Sequence, residues 1–266
     1  MAGFALLKKA SLVGAFFVFG FFIGPAWAFC PVPGKLEQVG VLRVVDGDTL
    51  RLSDGRSVRL IGLNTPELAH HGRSAEPFGE AARRRLVELV AANDGRVGVV
   101  LGRESRDRYG RTLAYLYGAE GQSIEAQLLA EGLGFLVAVA PNVALLDCLR
   151  AAERSARQAR LGLWRGSPVR TPEQLDAAGF ALIQARIERV EGNRGGLWLE
   201  LGETLVLHVA PALRERFEAR HGRELLGRRV EARGWVIDRA RRGGVQPGKA
   251  RWMLPLTHAA MLEVLP

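Results

Sequence analysis

Hydrophobic and polar residues alternate along the first half of the chain in the pattern of half-buried strands. Three alternating segments are separated by the turn dipeptides Asp46-Gly47 and Asp54-Gly55. Residues 39–63 are therefore expected to form a three-stranded meander. Two more alternating segments, at about 96–102 and 111–117, predict two further strands.

Apolar residues at helical spacing predict three helices in the same half. The first begins near Pro77, and the second runs from Ser123 as N-cap to Gly132 as C-terminal stop. The third begins after Asn142 and ends at Gly162. Five strands closed by helices indicate a small Greek-key barrel of the OB type.

The second half repeats this outline without visible sequence repetition. A helix follows Pro211, between the third and fourth of five expected strands, which is again an OB-like order. These strands are expected at 181–190, 196–201, 203–209, 228–237 and 251–256. The predicted fold class is thus mainly β with α (α+β): a five-stranded OB-fold barrel with three helices, followed by a second small OB-like β-barrel.

Composition divides the chain into segments. Two prolines, a glycine and small polar residues between Gly166 and Glu173 indicate a linker. The expected organisation is a signal peptide at 1–28, an N-terminal tail at 29–40, the first barrel at 41–165, a linker at 166–178 and the second barrel at 179–266.

The N-terminus has the parts of a secretory signal peptide. Lys8 and Lys9 precede the uncharged apolar stretch 10–24, and Ala26-Trp27-Ala28 matches an A-x-A cleavage pattern. The apolar stretch is shorter than the roughly 20 residues that a membrane span needs. We expect a periplasmic or secreted protein, held at a membrane only if this segment remains uncleaved as an anchor.

The 266 residues are 48% hydrophobic, which excludes wholesale disorder and a multi-span membrane protein. Two cysteines are too few for a disulfide-dense scaffold or a four-cysteine zinc site. Both Cys30 and Cys148 follow the signal segment, so an oxidising compartment favours a disulfide between them. The alternative is two unrelated thiols, with Cys148 as a small core residue.

Carboxylates and arginines recur on the predicted first barrel. Asp46 and Asp48 flank a tight turn, Arg59 lies on the next strand but one, Asn64-Thr65-Pro66-Glu67 follows that strand, and Arg111 opens a later one. Each segment alone is more often a turn, a loop start or a surface residue. Together they suit phosphodiester hydrolysis, because that reaction needs a base, cations for phosphate oxygens and often a metal ion.

The oxygen donors match a hard cation such as Ca²⁺, with Asp48, the side-chain carbonyl of Asn64 and the backbone carbonyl of Thr65 as ligands. Glu67 can take a proton from a water molecule that attacks phosphorus.

Permanently charged guanidinium groups at Arg59 and Arg111 suit phosphate oxygens, above all when charge grows in the transition state.

At these residues the sequence resembles the thermonuclease, or staphylococcal nuclease, family over about residues 40–165. The segments that carry the resemblance are VVDGDT (44–49), VRLIGLNTPE (58–67), EPFGEAA (76–82), DRYGRTLAYLY (107–117), LLAEGL (128–133) and LRAAERSARQARLGLW (149–164). The resemblance implies an OB-fold, Ca²⁺-dependent, secreted nuclease acting on DNA and RNA.

The resemblance also assigns roles. Arg59, Glu67 and Arg111 fall on the catalytic positions of the family. Its metal ligands fall on Asp48, Asn64 and the Thr65 carbonyl, with Asp46 as an acid behind them; its nucleotide contacts include Arg108 and Tyr109.

Two departures from the family pattern bear on function. Asn64 stands where the well-known form has Asp, so one negative charge is lost and Ca²⁺ binding should weaken, although an amide oxygen still coordinates. The loop before the last helix reads Ala138-Val139-Ala140 where that form carries nucleotide-contacting tyrosines. Base stacking at that loop is therefore not expected to transfer to this chain.

The second barrel carries a basic segment, with eight Lys or Arg against two acids in residues 228–251. In OB-folds such surfaces bind single strands through phosphate contacts and base stacking. The candidate nucleic-acid-binding residues are Trp235, Arg239, Arg241, Arg242, Arg251 and Trp252. The alternative is a solvated run of charge with the tryptophans in the core.

The prediction is a secreted or periplasmic, metal-dependent nuclease with DNA, RNA or both as substrate and no obligate protein partner. A nucleic-acid-binding OB-fold protein with weak or no turnover is the alternative, with Asn64 as its sign of decay. Adhesion to an anionic membrane or wall would explain the net charge of +9 but none of the motifs.

Overall fold

The computed structural model describes residues 30–32, 36–69, 74–242 and 248–266. The expected signal peptide at 1–28 and the side chain of Arg242 lie outside the described part. Within it, no helix is both long enough and apolar enough to cross a membrane.

The first half folds into a closed barrel with three helices. Its elements are β1 (Glu37–Val44), β2 (Thr49–Leu52), β3 (Ser57–Leu60), β4 (Leu63–Asn64), α1 (Gly79–Ala91), β5 (Arg96–Arg106), β6 (Thr112–Tyr117), α2 (Ile124–Ala130), β7 (Phe135–Leu136) and α3 (Leu146–Gln158). The barrel strands pair in the order β1-β2-β3-β6-β5 and back to β1, with β3 and β6 parallel. This confirms the predicted five-stranded OB-type barrel.

Alternation along the strands explains the core of this barrel. On β2, Leu50 and Leu52 are fully buried while Arg51 between them is exposed, because successive side chains point to opposite faces. Ser123 caps α2 as predicted, since its side chain accepts a hydrogen bond from the Ala126 amide.

Helix α3 starts later and stops earlier than the sequence predicted, at Leu146 and Gln158. Asn142 is held outside the helix, because its side chain bonds both backbone groups of Glu104 on β5, at 2.9 and 2.8 Å. At the other end, Arg160 has a φ of 53°, a left-handed conformation that ends a helix.

The second half forms a second β domain. Its elements are β8 (Val169–Arg170), β9 (Gly179–Arg186), β10 (Arg189–Asn193), β11 (Gly196–Leu201), β12 (Leu205–Val209), α4 (Pro211–His221), β13 (Arg229–Asp238), β14 (Trp252–Pro255) and β15 (Leu262–Val264). The strands pair in the order β10-β11-β12-β14-β13-β9-β8, and β15 adds to β13.

This sheet has the strand order of the first barrel once β9 and β10 are taken as two halves of one strand, since β9 pairs with β13 and β10 pairs with β11. We call this β domain the second barrel. The sequence predicted one strand at 181–190, but it bends at Ile187 and Glu188. There the Ile187 amide donates to Arg228 and the Glu188 amide donates to Glu200, so the strand changes partner from β13 to β11. The third and fifth strands, β12 and β14, are again parallel.

The segment expected as a linker at 166–178 contributes to the second sheet. Within it, Val169 and Arg170 form β8 and pair in parallel with β9. The edge of β9 offers free backbone groups, and the short strand satisfies some of them.

A disulfide joins Cys30 to Cys148, with their Cα atoms 5.8 Å apart. It ties the N-terminal segment to α3, as the first of the two sequence alternatives predicted. Beside it, the Tyr117 hydroxyl donates to the Pro31 carbonyl at 2.8 Å.

Candidate active site

A cavity of about 590 Å³ brings together most of the residues that the sequence singled out. Those that line it are Asp46, Asp48, Arg59, Asn64, Glu67, Arg108, Tyr109, Arg111 and Trp235. Thr65 is buried directly behind Asp48, and the Asp48 carboxylate accepts hydrogen bonds from its amide and hydroxyl at 2.9 and 3.2 Å.

Strand pairing explains why these side chains meet. Arg59 on β3 lies opposite Thr49, next to Asp48, in the antiparallel pair with β2. On its other side β3 runs parallel to β6, which begins one residue after Arg111. Residues distant in sequence therefore reach one end of three neighbouring strands.

Arg59 links the candidate metal ligands. Its Nη1 forms an ion pair with Asp48, and its Nη2 donates to the Asn64 side-chain oxygen at 3.0 Å. Burial, followed by the charge of Arg111, lowers the pKa of Arg59 to about 10. The guanidinium therefore stays charged at neutral pH, and two hydrogen-bonded partners fix its plane.

Asp46 holds the backbone of Asp48 in place. Its carboxylate accepts a hydrogen bond from the Asp48 amide at 3.0 Å, which fixes the turn between β1 and β2. Burial raises the pKa of Asp46, and the nearby charge of Arg59 opposes this shift.

Arg111 is oriented by a residue that sequence reasoning missed. Its Nε donates to Asp107 at 2.7 Å, and the other oxygen of Asp107 accepts from the Arg111 amide at 2.9 Å. Burial acts to raise the pKa of Asp107, but the hydrogen bonds from Arg111 outweigh it and the pKa is lowered. The sequence feature that indicates this pair is the turn DRYGR (107–111), in which Asp107 precedes Arg111 by four residues.

Tyr109 lies between cations in the same turn. The guanidinium carbons of Arg108 and Arg111 are 4.8 and 5.6 Å from the centre of its ring. The ring is otherwise exposed, and Arg108 also donates to the Tyr109 hydroxyl at 2.6 Å. These contacts place a cationic and aromatic surface at the wall of the cavity.

Glu67 presents an exposed carboxyl group to the cavity from a backbone that is held in place. Its amide donates to the Glu76 side chain at 3.0 Å, and its carbonyl accepts from the Glu76 amide at 2.9 Å. Gly79 at the start of α1 allows this close approach, because a Cβ there would lie 2.8 Å from the Glu67 carbonyl oxygen.

The candidate metal ligands fit a hard cation in donor type, because Asp48 and Asn64 both present oxygen atoms to the cavity. Among the three candidate ligands, only Asp48 carries a negative charge. Within the described ranges, no three His, Cys, Asp or Glu side chains converge as a metal centre would require. Any cation there relies on one carboxylate, one amide oxygen and the Thr65 carbonyl, with Arg59 already engaging the first two.

The residues expected to bind nucleic acid from the second barrel are separated. Trp235 is 39% exposed and lines the cavity. Trp252 is only 3% exposed, so its predicted role in base stacking is wrong. The physical reason is its place on β14, between β12 and β13, where its side chain enters the core of the second barrel.

Among the basic side chains of that segment that the structure describes, Arg241 and Arg251 lie around Asp238 and outside the cavity lining. Arg251 donates to Asp238 at 2.8 Å, and Arg241 lies 3.7 Å from it. Arg239 instead donates to the Ala250 carbonyl at 3.0 Å. Asp238 therefore neutralises part of the positive charge of residues 228–251.

Comparison with known proteins places the first barrel among nucleases. The family described as staphylococcal nuclease homologue matches residues 57–166. Endonuclease YncB of Bacillus subtilis (strain 168) is 36% identical over 138 residues, which are 50% of this chain and 64% of YncB. The SPbeta prophage-derived endonuclease YokF of the same strain is 36% identical over 135 residues, 49% of this chain and 45% of YokF.

Thermonuclease of Staphylococcus intermedius is 34% identical over 131 residues, 48% of this chain and 76% of the thermonuclease. The chain thus spans about half to two thirds of the two Bacillus endonucleases. The second barrel follows the region that the family match covers.

Proposed function

The chain belongs to the staphylococcal nuclease family, and we propose that it is a metal-dependent nuclease that hydrolyses phosphodiester bonds in DNA, RNA or both. One observation carries this proposal: Arg59, Arg111 and Glu67 line a single cavity together with oxygen donors suited to a hard cation. A base, two phosphate-binding cations and a place for a divalent ion are the groups that the reaction needs.

Glu67 is proposed as the general base, which takes a proton from the attacking water. Its exposed carboxyl group can reach substrate water, while the contacts with Glu76 keep its backbone in position. General-base catalysis contributes about 10²- to 10⁴-fold to a rate, so this role is large enough to measure.

Arg59 and Arg111 are proposed to bind the non-bridging phosphate oxygens as negative charge develops. Asp107 holds Arg111 through its Nε, so this guanidinium is already oriented when substrate binds. Arg59 is bound to Asp48 and Asn64, so it must release these two groups as the cation and the phosphate bind. Loss of one such preorganised donor typically lowers kcat by about 10²- to 10³-fold.

Asp48, Asn64 and the Thr65 carbonyl are proposed to hold the cation, with Ca²⁺ as the expected ion because all donors are oxygen atoms. When bound, the ion supplies positive charge to a phosphate oxygen. Asp46 keeps Asp48 in place through the bond to its amide.

Export to the periplasm or the medium is also proposed. The Cys30–Cys148 disulfide supports it, since disulfides persist in oxidising compartments. Cell fractionation checks the location, and protein found only in the cytoplasm would contradict it.

The test is digestion of labelled DNA and RNA with Ca²⁺ and with chelator, using wild type, Glu67→Gln and the control Glu88→Gln on the exposed side of α1. We expect cleavage only with the metal, a loss of at least about 100-fold in Glu67→Gln and no change in the control. Full activity of Glu67→Gln would eliminate the assigned base. Binding that survives chelation, without cleavage under any divalent ion, would instead support a binding protein.

A further inference from the structure

Trp235 belongs to the second barrel, yet it lines the cavity that contains Arg59 and Arg111. It lies on β13, and 39% of its surface is exposed. A large, partly exposed aromatic side chain at a charged cavity is a surface that can stack on a flat ring. Arg241 and Arg251, which lie around Asp238, are not part of this cavity lining.

The register of β13 fixes Trp235 at the cavity. Glu231, Arg233 and Trp235 alternate along the strand and face the same side. The first two are buried against α3, where they pair with Arg157 and Glu153. The side chains on this face of β13 therefore pack on the first barrel. Trp235, two residues after Arg233 on the same face, reaches the wall of the cavity.

A series of aromatic contacts supports the ring. Trp235 lies opposite Phe180 on β9, with the ring centres 5.4 Å apart at 70°. Phe180 stacks on Phe135 of the first barrel, with the centres 5.4 Å apart. Phe135 in turn pairs with Asn64 between β7 and β4. Packed side chains thus connect the tryptophan to the strand that carries a candidate metal ligand.

Tyr109 is the other aromatic side chain that lines this cavity, and it is 69% exposed. In the loop Ala138-Val139-Ala140, Ala138 is buried against Met261, and its carbonyl accepts a hydrogen bond from Thr257 at 2.6 Å. The second barrel thus covers part of this loop. The ring of Tyr109 already has two guanidinium groups near it.

We propose that Trp235 is a substrate-contacting residue of this site, supplied by the second barrel, which stacks on an unpaired base next to the bound phosphate. The inference rests on the proposed nuclease function. Bases in a duplex are already stacked on one another, so an indole from the protein reaches a base face most readily in a single strand. The second barrel therefore completes the substrate groove of the first.

The test compares Trp235→Ala, Trp235→Leu and Trp235→Phe with wild type on a labelled single-stranded oligonucleotide and on a duplex of the same sequence. Trp198→Ala is the control, because Trp198 belongs to the same barrel, stacks on His208 and lies outside the cavity lining. We expect Ala and Leu to raise KM for the single strand by about 10-fold with kcat within about twofold. Phe should retain most of the affinity, and the duplex and the control should be unaffected.

An unchanged single-strand KM in the Ala and Leu variants would overturn the inference. So would an equal loss on the duplex or in Trp198→Ala, since either result indicates a general effect on the barrel. If wild type cleaves nothing, the proposed function fails separately. Fluorescence anisotropy of the same oligonucleotide then measures binding directly. Binding about 10-fold weaker in Trp235→Ala and Trp235→Leu than in wild type would support the inference, and equal binding would refute it.

Discussion

The Arg233 guanidinium of the second barrel donates from Nη1 to both carboxylate oxygens of Glu153 in the first barrel, at 2.8 and 2.6 Å. Its Nη2 donates to Glu231 at 3.1 Å, and Glu231 accepts two further hydrogen bonds from Arg157. Glu153 also accepts from the Leu136 amide at 2.7 Å. Four buried or half-buried charges thus join α3 to β13 and fix the orientation of one barrel on the other.

Replacing Arg233 by methionine should destabilise the protein strongly. The variant keeps the apolar volume but leaves the buried carboxylates of Glu153 and Glu231 without their shared cation, which costs about 3–5 kcal/mol. Urea unfolding measures the effect. Adding Glu153→Gln to Arg233→Met should recover part of the loss.

The matched control is Arg189→Ala, since Arg189 pairs with Glu191 on an exposed strand and should contribute little. Equal unfolding midpoints for Arg233→Met and wild type would contradict a structural role for this network.

Glu125 should make stability depend on pH. It is completely buried and accepts hydrogen bonds from the Leu116 amide and the Ser123 hydroxyl, and burial raises its pKa to about 8. Between the ordinary value of 4.5 and about 8, the folded protein keeps a proton that the unfolded chain has released. Stability from this group therefore falls as pH rises through that window, by at most about 1.4 kcal/mol per pH unit.

The variant Glu125→Gln removes this titration and keeps the shape of the side chain. Urea unfolding at pH 5, 6, 7 and 8 should show the free energy of unfolding of the variant rising relative to wild type as pH increases. A difference between the two proteins that is constant across the series would show that Glu125 does not titrate there.

Asn64→Asp should strengthen the proposed metal site. It adds a negative charge beside Asp48, and one more close charge typically contributes on the order of 1.4 kcal/mol, or about tenfold in affinity. Calorimetric titration with Ca²⁺ and the Ca²⁺ dependence of cleavage measure the change. Asn93→Asp, the same replacement after α1, should leave both unchanged, and equal Ca²⁺ dependence in all three proteins would place the ion elsewhere.

Removing the disulfide with Cys148→Ser should destabilise the protein by about 2–5 kcal/mol, because the bond closes a long loop of the unfolded chain across a sequence separation of 118. Urea unfolding compares the variant with wild type under oxidising and reducing conditions. Reductant should lower the stability of wild type and leave the variant unaffected. Two free thiols in the unreduced wild type would show that the bond does not form.

Much of the candidate site could be predicted because its motifs are short and local. The turn around Asp48 and the loop that ends in Glu67 each lie within a few residues of a strand end, so the strand order alone brings them near Arg59. Asp107 was missed because its role depends on the conformation of one turn. The ion pair between Arg233 and Glu153 was missed because the partners are 80 residues apart in sequence and carry no shared motif.

The sequence by itself predicted the main strands and helices, the family of the first barrel and the residues that suit phosphodiester chemistry. Each of these depends on neighbouring residues or on spacing along one element. Sequence analysis gave Trp235 and Trp252 the same predicted role in nucleic-acid binding. Only the tertiary structure shows that Trp235 is partly exposed and that Trp252 is buried. Burial depends on which strands flank a residue and on the direction of its side chain. The Trp252 side chain on β14 enters the core of the second barrel, whereas Trp235, on the face of β13 that packs on the first barrel, lines the cavity of the candidate active site.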